Sequence, residues 1–178
     1  MSESLGIIQL GPTPDYSTEN LKEKLSPKFP HYEVKTLAAM DTPAMAYDSF
    51  REQYHSTRIL TILEEYAQTV RIDHILGVAS FDLYVPGMNF VFGEARCPGD
   101  VAVISTYRLR AKHLDNSDLF EGRVLKEAVH EIGHTIGLRH CTQPSCVMYF
   151  SERLADTDRK GDDFCAQCER KMKWLEVE

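Results

Sequence analysis

The stretch spanning residues 130–168 constrains this chain more than any other. It reads HEIGHTIGLRH, then CTQPSCVM, and after a polar interval CAQC. Histidines spaced i, i+4 on a helix leave the same face one turn apart, because four residues rotate by about 400° and rise about 6 Å. His130 and His134 can therefore aim their ring nitrogens at one ion at about 2.0–2.1 Å. Glu131 is displaced round the helix, so its carboxylate reaches a water on such an ion rather than the ion itself. Were the helix to continue, His140 would lie roughly 9 Å beyond His134, too far to share the ion. Gly137 lies midway, and glycine takes the left-handed conformation that ends a helix and turns the chain back. The turn lets His140 approach from outside. Three neutral imidazoles leave the fourth tetrahedral position to water, the mark of a catalytic zinc rather than a closed structural one. A buried helix also produces HExxH by chance; the offsets of Gly137 and His140 favour the metal.

Cys141 with Cys146, and Cys165 with Cys168, form two short-spaced pairs that suit a closed zinc site of four thiolates. Two disulfides, or a redox CxxC, are the competing readings. Cys97 has no partner spacing. An odd cysteine count, with no basic n-region or long apolar run near the N-terminus, points to reduced thiols and a cytoplasmic setting. Cys141 directly follows His140, and Cys146 stands two residues before Met148. One structural ion would thus anchor both the loop carrying the third histidine and the methionine loop. Two zinc ions per chain are expected, one catalytic and one structural.

The rest of the chain reads as strands alternating with helices. Strands are expected over residues 5–10, 32–37, 74–85, 89–95 and 101–109. Helices are expected after a Ser17 cap, over 48–68, over 118–135 with Asn116 or Ser117 as cap, and over 164–175; the interval beyond Cys146 reads as loop. This pattern gives an α/β fold with a mixed, mostly parallel sheet and one antiparallel edge strand. At 178 residues a single domain is expected, divided into an N-terminal subdomain of about 1–137 and a C-terminal one of about 138–178. The net charge of −7 argues against nucleic acid or an anionic membrane as partner. Arg108, Arg110, Lys112 and His113 read as a solvated basic turn. Glu94 is a candidate anchor for a substrate amine, and Tyr149 a candidate oxyanion donor whose plainer role is packing.

HEIGHTIGLRH followed by Met148 resembles the metzincin signature, HExxHxxGxxH with a methionine turn. With CxxxxCxM and the distal CxxC, it is similar to the archaemetzincin family in particular. NFVFGEA at 89–95 and VISTYRL at 103–109 support the resemblance; the interval 149–164 is one residue shorter than is usual there. The resemblance implies a compact metzincin-like α/β (α+β) domain split by an active-site cleft, its active-site helix followed by a loop-rich, zinc-stapled C-terminal part. It implies His130, His134 and His140 on a catalytic zinc, Glu131 as general base, and Cys141, Cys146, Cys165 and Cys168 on a structural zinc. Substrate would add as a strand along residues 89–95. The leading expectation is a monomeric zinc metalloprotease acting on peptides or proteins. The alternative is a zinc-containing peptide- or partner-binding protein of the same fold with little turnover. A nucleic-acid-binding zinc module loses to the negative charge.

Overall fold

In the computed structural model of the protein, which describes residues 3–12, 16–110 and 117–175, the apolar runs become strands because helices cover the sheet on both faces. In chain order the elements are β1 (Glu3–Leu10), α1 (Thr18–Leu25), β2 (Tyr32–Thr36), β3 (Tyr47–Asp48), β4 (Gln53–His55), α2 (Ser56–Val70), β5 (His74–Ala79), β6 (Leu83–Tyr84), β7 (Gly93–Ala95), β8 (Val101–Ser105), α3 (Ser117–Ile136), α4 (Leu154–Arg159) and α5 (Ala166–Leu175). The main sheet has the order β2-β1-β5-β8-β7. All its pairings are parallel except β7 with β8. The mixed sheet with its antiparallel edge is thus present as expected.

Period-two alternation sorts the side chains into two cores. Leu5, Ile7, Leu76, Val78, Ala102 and Ile104 meet α1, α3 and the C-terminal segment on one face. Ile8, Leu10, Ile75, Val101 and Val103 meet α2 on the other. Burying one such side chain contributes roughly 1.5–3 kcal/mol, so strands buried on both faces dominate the core. Ser17 caps α1, its hydroxyl accepting from the Asn20 N–H at 3.3 Å. No described helix is long and apolar enough to cross a membrane.

Three expected boundaries move, each where hydrogen bonds draw the chain out of the expected element. The helix expected over 48–68 begins only at Ser56. The Asp48 carboxylate accepts from the N–H groups of Phe50 and Arg51, and Glu52 has φ of 53°. Such a side-chain turn competes with the helix and leaves Phe50 fully exposed. The strand expected over 74–85 divides after Ala79, because Asp82 is drawn aside by Gln53 and by Arg108 in a bidentate pair. Its continuation, β6, joins a small second sheet in the order β3-β4-β6. The strand expected over 101–109 stops at Ser105, after which Leu109 N–H turns back to Thr106 O. The supposed loop after Cys146 contains α4, whose Asp156 carboxylate accepts from the Glu152 and Arg153 N–H groups. Within the basic turn, Arg108 is taken by Asp82 and Arg110 lies over the Phe120 ring. Lys112, His113 and Asn116 lie outside the described residues.

Candidate active site

α3 runs under the sheet and carries His130 and Glu131, both buried, and His134, half-buried. It ends at Gly137, which has φ of 108°. Gly137 N–H donates to His134 O, and Leu138 N–H donates to Gly133 O. That pair of bonds is a Schellman turn, and it needs a residue free of a Cβ at the left-handed position. The turn brings His140 back, with its ring centroid 4.8 Å from that of His134 and 5.3 Å from that of His130. One ligand nitrogen from each of the three lies within 4.8 Å of the others.

The tautomers are set by the backbone. His130 Nδ1 stands 2.8 Å from Val147 O, and His134 Nδ1 stands 2.6 Å from Leu138 O. A carbonyl only accepts, so each Nδ1 carries the hydrogen and each Nε2 presents a lone pair. These two Nε2 atoms are 3.1 Å apart. Two lone pairs facing at that distance repel unless a cation draws them together, and tetrahedral zinc would hold two nitrogens about 3.3 Å apart. Burial pushes all three imidazole pKa values down, His134 to about 4, which keeps them in the neutral form that binds metal. The donor set fits zinc.

Glu131 is pushed well above the usual carboxylate range, first by burial and then by the nearby charge of Glu127. Its place depends on Gly93 of β7, where a Cβ would lie 2.7 Å from Glu131 Cγ and Oε1 and 2.8 Å from Val103 O. Beneath the three histidines, Met148 packs on Gly133, whose own Cβ would meet the sulfur at 2.6 Å.

The four cysteines also converge. Sγ–Sγ distances are 3.8 Å for Cys141–Cys165 and for Cys146–Cys168. A disulfide needs about 2.05 Å, whereas thiolates at about 2.3 Å from a tetrahedral zinc stand about 3.8 Å apart. All five cysteines are free. Cys165 and Cys168 sit at the start of α5; the Cys165 pKa falls to about 7, led by a hydrogen bond involving the Cys168 backbone, while burial pushes the Cys168 thiol up. Cys141 N–H donates to Met148 O, tying the cysteine loop to the methionine turn.

Residues 23–174 match the model of peptidase family M54. The chain belongs to that family, the archaemetzincins. It is 45% identical over 148 residues to the archaemetzincin of Archaeoglobus fulgidus, covering 83% of this chain and 86% of that one. Identity to the Methanocaldococcus jannaschii archaemetzincin is 41% over 170 residues, 94% and 91% of the two chains. The crystal structure of the Methanopyrus kandleri archaemetzincin superposes with a TM-score of 0.84 at 36% identity, covering 99% of this chain and 96% of that one. A metalloproteinase from Bacteroides fragilis, 12% identical with a TM-score of 0.55 over 98% of this chain and 53% of that one, shares the fold alone. As an archaemetzincin the protein is a zinc metallopeptidase.

The archaemetzincin cleft has a volume of about 710 Å³ and runs between β7 with its preceding loop and the histidines of α3. Of the extended segment expected over 89–95, only Gly93–Ala95 pairs as a strand; Val91 N–H is taken by Leu83 O of β6. Phe92 O and Arg96 N–H face β8, so Gly93 and Ala95 turn their backbone groups outward. The Glu94 carboxylate is engaged by the hydroxyls of Ser56 and Thr57 at the start of α2, which fastens the edge strand and occupies the candidate amine anchor. Phe150 lines the cleft and Tyr149 does not. Sequence reasoning misses Lys160, whose side chain is wholly buried 3.1 Å from Glu127 Oε1. Its Nζ also lies 3.5 Å from His130 Nδ1 and 3.4 Å from Tyr149 O. No periodicity marks this lysine, but Glu127 lies one turn before Glu131 on the ligand face of α3, a spacing visible in the sequence.

Proposed function

We propose that this archaemetzincin hydrolyses peptide bonds with Glu131 as general base, His130, His134 and His140 as ligands of a catalytic zinc, and Cys141, Cys146, Cys165 and Cys168 as ligands of a structural zinc. The observation that carries this reading is the pair of Nε2 lone pairs 3.1 Å apart, each fixed by a carbonyl on the far side of its ring, beside a buried carboxylate. A peptide adds to the outward N–H and C=O groups of Gly93 and Ala95 as an extra strand, which lays its backbone across the histidines. When bound, the ion supplies Lewis-acid polarisation of the carbonyl and makes a water acidic near pH ~7. Glu131 takes the proton of the attacking water at its carboxylate and delivers it to the departing amine nitrogen. Burial raises its proton affinity toward the working pH, which suits both transfers. Residues 138–178 act as a zinc-stapled subdomain that holds His140 and Met148 against the sheet-bearing part, residues 1–137. The free thiols suit a reducing compartment, which supports cytoplasmic action, and we read the working unit as a monomer. The test is Glu131→Gln: both metals should be retained and hydrolysis of a peptide library lost. Full cleavage by that variant overturns the assignment.

A further inference from the structure

The cleft holds a carboxylate that hydrolysis does not use. Glu127 lines the cleft with its side chain only 3% exposed. Lys160 Nζ at 3.1 Å and Thr157 Oγ1 at 3.0 Å both address Oε1. Among the described residues no hydrogen bond goes to Oε2, and that oxygen, unlike one sealed in the core, is left open to the cleft. Ser151 lines the same cleft, and its Oγ is buried without a hydrogen-bond partner. A buried polar atom left unpaired costs roughly 1–3 kcal/mol, and a ligand that supplies the missing partner removes that cost.

Charge points the same way. The acidic side chains lining the cleft are Glu94, Glu127, Glu131 and Glu152, against Arg139 as the basic one. Glu94 is engaged by Ser56 and Thr57, and Glu131 is the base. Glu127 is left for recognition, with exposed Glu152 adding negative potential. Lys160 offsets the charge of Glu127 from behind without reaching the cleft. A guanidinium or ammonium group brings N–H donors and positive charge to Oε2. An apolar side chain would leave Oε2 unpaired, and an acidic one would face both Glu127 and Glu131.

Resting on the peptidase reading above, we propose that Glu127 and Ser151 form a specificity pocket for a lysine or arginine side chain of the substrate, next to the bond that is cut. The zinc-loaded Glu131→Gln protein should bind the peptide Ala-Ala-Arg-Ala-Ala about tenfold more tightly than its norleucine counterpart by calorimetry, a charge-assisted hydrogen bond being worth at least that much. Adding Glu127→Gln should abolish the difference. Ser151→Ala, which removes one hydroxyl and disturbs no charge, should reduce it. With zinc-loaded wild-type protein, mass spectrometry of a cleaved peptide library should show lysine or arginine enriched about tenfold at one position flanking the cut. Equal binding of the two peptides, or a preference that survives both substitutions, overturns the pocket whether or not the wild type cleaves. Arginine-selective binding without any cleavage supports the pocket and overturns the peptidase mechanism instead.

Discussion

Replacing Lys160 by methionine removes an ammonium with no solvent exposure and leaves the Glu127 carboxylate, 3% exposed and 3.1 Å away, without its counter-charge. Breaking a buried pair from one side costs roughly 3–5 kcal/mol, because the remaining charge loses its partner and, at 3% exposure, regains little water. The contacts of Nζ with Tyr149 O at 3.4 Å and His130 Nδ1 at 3.5 Å are too long to add much. For a chain of this size each kcal/mol shifts the melting temperature by roughly 2–4 °C. Lys160→Met should therefore melt roughly 6–20 °C lower, followed by circular dichroism at fixed zinc concentration. Removing both charges, as Lys160→Met with Glu127→Leu, has a different expected result. Buried pairs replaced by apolar residues of similar volume are neutral or up to ~4 kcal/mol more stable. About 1 kcal/mol is lost again at the Thr157 hydroxyl, which donates to Glu127 in the parent. The double variant should melt within a few degrees of the parent. A double variant that melts as low as Lys160→Met would refute the electrostatic account and assign the loss to packing.

Gly93→Ala would put a methyl 2.8 Å from the carbonyl oxygen of Val103, which belongs to a central strand, as well as 2.7 Å from Glu131. Displacing the base by such a distance should lower kcat by roughly 100-fold with the metal content unchanged, and an active, metal-loaded variant would contradict the close fit. Elemental analysis should find a second ion that Cys165→Ser loses, while mild chelation of the parent should strip the histidine site first; one ion in fully loaded parent protein would disprove the division into two centres. In metal-free protein, the His134 pKa, lowered from 6.5 to about 4, means that the unfolded chain binds more protons below pH ~6.5. Its contribution to stability is present above that pH and is lost as the pH falls toward 4, so urea unfolding should show a falling midpoint across that window. A flat profile would contradict neutral burial of the ring.

The two clusters of candidate ligands were legible because their logic is local. A turn of helix, a glycine and a histidine three residues later need no knowledge of the rest of the chain, and the paired cysteines carry their spacing with them. Strands buried on both faces, such as Val101–Ser105, are equally plain as apolar runs. What escaped depends on contacts distant in sequence. The break at Asp82 follows from Gln53 and Arg108 closing on one carboxylate. The late start of the second helix follows from Asp48 capping its own turn. Lys160, in the run Asp158-Arg159-Lys160, looks like solvated charge, and its neighbours do the burying: Arg123 on α3 grips Asp158 in a bidentate pair, and the short helix then carries Lys160 beneath His130. Ser151 gives no sign in the sequence that its hydroxyl is buried without a partner.

The order of these contacts along the chain has a consequence for synthesis. His130, Glu131 and His134 emerge on a helix, and His140, the third candidate ligand, follows six residues after His134. The segment that seats them arrives later: Lys160 beneath His130, then Cys165 and Cys168 closing on Cys141 and Cys146. A chain still being made, or one cut short before Cys165, therefore carries the whole hydrolytic motif without the frame that holds His140 and Met148 in register. On the assignment proposed above, the segment that seats the histidines is made after the motif itself, so a chain truncated before Cys165 should show little hydrolysis.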